Sequence, residues 1–160
     1  MKTIKMGVST LRSPQRLSET DNNLLPFSFH NELDSTKIKL QYKSDLNFCL
    51  NMFEVCLHTV PIAVANMNDA SEQEDYLAIS MIANKLKSNF ELVGHTEMVS
   101  ILDCIESYAH MQNHIVFDLC FVFTSKVSLK LDIIRDEIIR ISQYLKQNKS
   151  LHSNIWSELL

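Results

Sequence analysis

From residue 33 to residue 148 the apolar side chains recur at spacings of three and four, the period of helices that each turn one face to a core. The longest run is Val116, Cys120, Phe123, Val127, Leu131, Ile134, Ile138, Ile141 and Leu145. It predicts one helix of about eight turns at 3.6 residues per turn. Upstream, Cys49, Met52, Phe53, Cys56, Val60, Ala63 and Met67 form a second stripe, which we carry as one helix across Pro61, with a bend expected there. Ser44 or Asp45 stands where this helix needs its cap. A third stripe runs through Ile79, Ile82, Ala83, Leu86, Phe90 and Val93. Its expected start is the polar break Asn68-Asp69-Ala70-Ser71, where Ser71 and Glu74 have capping-box spacing. Gly94 supplies the stop, and His95 or Thr96 caps a fourth helix that buries Met98 or Val99, Ile101, Leu102, Ile105 and Ala109.

Outside these stripes the pattern weakens. Residues 1–31 hold Pro14 and Pro26 among short apolar fragments and read as a disordered arm. Asp34 or Ser35 then caps a short helix with Ile38, Leu40 and Tyr42 as its apolar contacts, a lid on one end of the bundle. The bundle is expected over 32–148, and 149–160 is a tail in which Ile155, Trp156, Leu159 and Leu160 form a final half-buried turn. With Gly only twice and Pro three times in 160 residues, there are too few turn residues for a sheet protein. The fold class expected is all-α: an up-down antiparallel four-helix bundle with a short N-terminal lid helix and a long C-terminal helix.

A formal charge of −4 provides no basic footprint for nucleic acid. Met1 to Thr20 lacks the apolar core of a secretory signal, and Ile115 to Thr124, read as the most apolar stretch, is too short for a membrane span. A cytoplasmic protein with no membrane or nucleic-acid partner is the expectation. Cys49, Cys56, Cys104 and Cys120 lie in apolar helical patterns without a C-x-x-C pair and read as reduced, buried thiols. His110 and His114 have metal-ligand spacing on one helix face, with Asp118 the nearest candidate to complete a site; two ligands do not make one, and neither metal nor cofactor is expected. Glu54, Asp103, Glu106 and Asp118 pair at no spacing that argues for acid–base chemistry, and they read as solvated helix faces.

Candidate function concentrates on the third helix. Stepping 100° per residue from its apolar stripe puts Leu77, Ser80, Met81, Asn84, Ser88 and Glu91 outside, apolar side chains around a polar centre, as on a surface that docks another protein. Counting from Asn84, Lys87 stands at offset three, Ser88 at four and Gly94 at ten. This frame resembles the signature of histidine-containing phosphotransfer (HPt) domains, the helical relay modules of two-component signalling, with Asn84 in place of the phosphoacceptor His. The match extends over Tyr42, Asp45, Phe48, Met52-Phe53-Glu54, Leu57 and Pro61 before the helix, and over Ile101, Leu102, Ile105 and Glu106 after it. It spans residues 33 to 110, about half of the chain.

In that family the His takes phosphoryl from a receiver aspartate, the Lys at offset three helps to hold the phosphoryl oxygens, and the small residue at offset four keeps the approach clear. The resemblance therefore implies a partner-binding surface of Leu77, Ser80, Met81, Asn84, Lys85, Lys87, Ser88 and Glu91. The implied partner is a response-regulator receiver domain or a hybrid histidine kinase. It implies no catalytic residue, since an amide nitrogen is delocalised into its carbonyl and lacks the nucleophilic lone pair of a neutral imidazole. Plant pseudo-phosphotransfer proteins, similar in carrying Asn for His, compete with active relays. The expectation is thus an HPt-like module without enzyme activity that binds receivers and carries no phosphate. Two alternatives stand beside it: a phosphocarrier that uses His58, His95, His110 or His114, and a plain interaction bundle unrelated to signalling. His95 itself reads as a helix cap.

Overall fold

The computed structural model describes residues 27–157, and the side chains of residues 27–148. Among the described residues there are five helices and no strand: α1 (Ser35–Tyr42), α2 (Leu46–Glu72), α3 (Tyr76–Leu92), α4 (Thr96–His110) and α5 (Ile115–Ser157). The expected all-α class holds. Helix α2 packs on α3 and α5, α4 packs on α3 and α5, and α1 rests against α2, a bundle-like arrangement around one core. Phe53, Leu86, Phe90, Leu102, Ile105, Phe123 and Ile134 are wholly buried at its centre. Each comes from a stripe read at helical period, because a helix can bury only the face on which its apolar residues recur.

The starts of α1, α2 and α3 are set by one device. Asp34, Asp45 and Asp75 each stand at the N-cap and accept a hydrogen bond from the backbone N–H three residues on, Lys37, Phe48 and Ala78 respectively. Each bond satisfies one of the donors that a helix leaves open at its first turn. The start of α3 corrects the capping box expected at Ser71. Helix α2 runs on, unbroken across Pro61, to Glu72. The Ser71 hydroxyl bonds back to the Met67 carbonyl, and the chain turns at Glu74, where φ is +53°. A serine inside a helix satisfies its hydroxyl on the preceding turn, so the spacing to Glu74 fixes nothing.

Helix α1 is tied to the α3–α4 turn. The Asp34 N–H donates to the Gly94 carbonyl at 2.8 Å, and the Tyr42 hydroxyl donates to the Leu92 carbonyl at 2.7 Å. Gly94 has φ +70°, a conformation glycine adopts freely. Ile38 and Tyr42 are buried as expected, whereas Leu40 projects into solvent. Residues 27–31 depart from the disordered arm expected over 1–31: Phe27 and Phe29, with Leu33 after them, belong to the core. Phe29 stacks on Phe53 at 6.1 Å, and the His30 N–H donates to buried Glu137 at 2.7 Å. Two aromatic side chains two residues apart, with Ser28 between them, carry no helical period, which is why the pattern passed over them. The arm expected over residues 1–26 lies outside the described residues.

Helix α5 continues past the boundary expected at 148, as far as Ser157; the half-buried turn expected of Ile155, Trp156, Leu159 and Leu160 lies outside the described side chains. Cys49, Cys56 and Cys120 are buried thiols, but Cys104 is exposed on the outer face of α4. Burial pushes Cys49 and Cys56 up to about 12, so neither is a thiolate at neutral pH. By length and composition α2, and not the stretch at Ile115, is the described helix apolar enough to cross a membrane. Its buried stripe packs on α3 and α5, a feature shared with core helices of proteins outside membranes.

Candidate functional site

Helix α3 presents Asn84 to solvent at mid-helix, between the cap at Asp75 and the stop at Gly94. Leu77 and Met81, 70% and 67% exposed, flank it as large apolar side chains out in solvent. Lys85, Ser88 and Glu91 are exposed as well, and Lys87 is partly covered. Ser80 is not one of these exposed side chains. It is buried at 5% exposure, with its hydroxyl 3.2 Å from Nε2 of His110. At i−4 from Asn84 it sits where α3 turns toward α4, and helical stepping without the position of α4 could not place it.

Helix α4 adds the part of the site that sequence reading missed. Its Glu106 accepts from Asn84 Nδ2 through Oε1 at 3.2 Å and from Lys87 Nζ through Oε2 at 2.7 Å. Asp103 receives the same ammonium at 3.0 Å. The imidazole of His110, one turn beyond Glu106, lies 3.9 Å from the Glu106 carboxylate. Hydrogen bonds to Glu106 and Asp103 push the Lys87 ammonium up to about 12, and the Lys87 and Asn84 donors hold Glu106 below the usual carboxylate range. Asp103, Glu106 and His110 stand at i, i+3 and i+7 on α4, one face of a helix. That spacing was readable; its pairing with Lys87 across to α3 was not.

An open depression of about 320 Å³ lies between the two helices, lined by Ser80, Met81, Asn84, Glu106 and His110. On the other flank of α3 a groove of about 300 Å³ runs against α2, with Ile62, Met81, Ile82 and Lys85 among its walls. Met81 lines both and separates them. The surface can bind a partner through apolar contact at Leu77, Met81 and Ile62 around a hydrogen-bonded polar centre. Asn84 offers no lone pair for phosphoryl transfer, and the Lys87 ammonium is engaged by two carboxylates.

The other described histidines do not gather at this site. His95 is wholly buried behind the α3–α4 turn and stacks edge-on to Phe90 at 5.9 Å. It occupies the N-cap of α4 without any side-chain capping bond, which corrects its reading as a functional cap. His110 ends α4, while His114 lies in the turn before α5, so the two do not share the helix face that metal spacing assumed. Compared with family models, curated proteins and solved structures, the chain matches none.

Proposed function

We propose that this chain is an HPt-like module of two-component phosphorelay signalling: it binds response-regulator receiver domains, or the receiver of a hybrid histidine kinase, in the cytosol and carries no phosphate. In this reading α2 to α5 form the up-down antiparallel four-helix bundle of that family, α1 is its lid, and the protein is not an enzyme. The short connections and the packing of α2 and α4 each on both α3 and α5 support the arrangement. The observation that carries the function is Asn84 at the exposed centre of α3, flanked by Leu77 and Met81, with Lys87 three residues on. A docking surface is kept there while the one atom needed for phosphoryl transfer is lost.

The test is to incubate the full chain with a phosphorylated receiver. The expected result is a complex, weakened at least tenfold by Met81→Asp, with no acid-labile phosphate on this chain. Phosphate on this chain would overturn the pseudo-carrier reading. Failure of any receiver to shift the amide resonances of α3 would leave the plain interaction bundle. A phosphocarrier alternative has His110 as its best-placed residue, since among the described histidines that ring alone lines the depression beside Asn84. Loss of transfer in His110→Ala, after transfer in the parent chain, would establish it.

A further inference from the structure

We infer that Asp103 and Glu106 make this surface selective for the unphosphorylated form of a receiver. The inference rests on the receiver-binding reading and adds the state of the partner. On the α4 side of the strip two side chains could donate to phosphoryl oxygens, the Asn84 amide and the Lys87 ammonium; Lys85 lies on the α2 flank and the Ser88 hydroxyl donates to the Asn84 carbonyl. The amide and the ammonium are both turned to α4: Asn84 Nδ2 donates to Glu106 at 3.2 Å, and Lys87 Nζ donates to Glu106 at 2.7 Å and to Asp103 at 3.0 Å, which leaves each a single uncommitted N–H. Charge-assisted bonds of this length are the strong ones, so the ammonium is held where it stands. Two carboxylates against one ammonium leave one negative charge uncompensated, beside the position where a relay would receive phosphoryl.

A phosphoryl group brings roughly −1.5 to −2 of charge at neutral pH. Docked at Asn84 it would face the Glu106 carboxylate, with one uncommitted N–H each on Asn84 and Lys87 against that excess of negative charge. Rotating Lys87 toward the phosphoryl would not relieve this, because it uncovers Glu106 and Asp103 to the same charge. Like charges brought together across an interface penalise the wrong partner and so set specificity. The unphosphorylated aspartate carries less charge and meets a smaller penalty. His110, 3.9 Å from Glu106, adds positive charge there only when protonated.

The experiment titrates the full chain with purified receiver domains from the same genome, each with magnesium alone and with magnesium plus beryllofluoride, which mimics the aspartyl phosphate. Dissociation constants come from calorimetry at pH 8. The expected result is binding at least tenfold weaker in the presence of beryllofluoride. In Asp103→Asn/Glu106→Gln the difference should vanish or reverse, because Lys87 is then free; in Lys87→Met it should widen. Circular dichroism is the check that both variants fold, and their changes lie at partly or fully exposed positions. Equal or tighter binding with beryllofluoride in the parent chain would sink the inference and leave receiver binding intact. Absence of binding to either form would remove the receiver reading and the inference with it.

Discussion

At the residue scale, the most consequential side chain outside the candidate site is His95. It is wholly buried, neither ring nitrogen has a partner, and burial, followed by the nearby Lys130 charge, lowers its proton affinity from the ordinary value of 6.5. Between the unfolded value and the lower folded one the unfolded chain binds more protons, so stability is lost as pH falls below about 6.5. His95→Met removes the titration. A melting series from pH 8 to pH 5 is expected to show a steeper fall for the parent chain than for His95→Met; parallel curves would refute the assignment. His95 was legible as a residue next to a helix start and no further. Its surroundings include Phe90 and the charges of Lys130 and Glu32, which meet only in the folded chain. Lys87 has the same history, since its spacing from Asn84 is visible in the sequence while its two carboxylate partners lie 16 and 19 residues away on another helix.

At the element scale, helix limits follow from short-range chemistry, and the successes and failures sort accordingly. Asp34, Asp45 and Gly94 were readable because a cap or a stop is decided within three or four residues. The Ser71 cap failed because Asp75, four residues later, offers a carboxylate that accepts from Ala78 N–H, and the serine has a competing carbonyl behind it. The Gly94 stop has a tertiary reason as well as a local one. A Cβ there would lie 2.8 Å from Cγ1 of buried Ile38 and 3.1 Å from the Asp34 carbonyl oxygen, on a backbone at φ +70°. Gly94→Ala therefore combines an unfavourable φ with a collision between α1 and the α3–α4 turn. It is expected to cost roughly 2 kcal/mol in urea denaturation. A change under half that size would show that α1 moves aside freely.

At the scale of the whole molecule, the segment before α1 is part of the fold. Phe27 and Phe29 close over α5 and Phe53; Arg140 lies over the Phe27 ring at 5.2 Å and donates to the Ser28 carbonyl, and Glu137 takes the His30 N–H. Lys130, nearly buried, bridges Glu32 and Glu97, so the segment, α4 and α5 share one ion-pair network. Phe29→Ala should destabilise the chain by about 3 kcal/mol, the usual cost of emptying a buried aromatic site, read as a shift in urea midpoint at constant slope. A surface-like loss below about 0.5 kcal/mol would show that this segment is not part of the core. Taken alone, the sequence determined the all-α class, the membership of most core positions, three of the helix starts or stops and the exposure of Asn84. Those features repeat at helical period or close within one turn, so neighbouring residues suffice to set them. Only the tertiary structure decided that Ser80 is buried, that the Phe27–Leu33 segment belongs to the core, and that Asn84 and Lys87 are held by Glu106 and Asp103. Each of those depends on where a second element lies, and no periodicity within a single helix encodes that position.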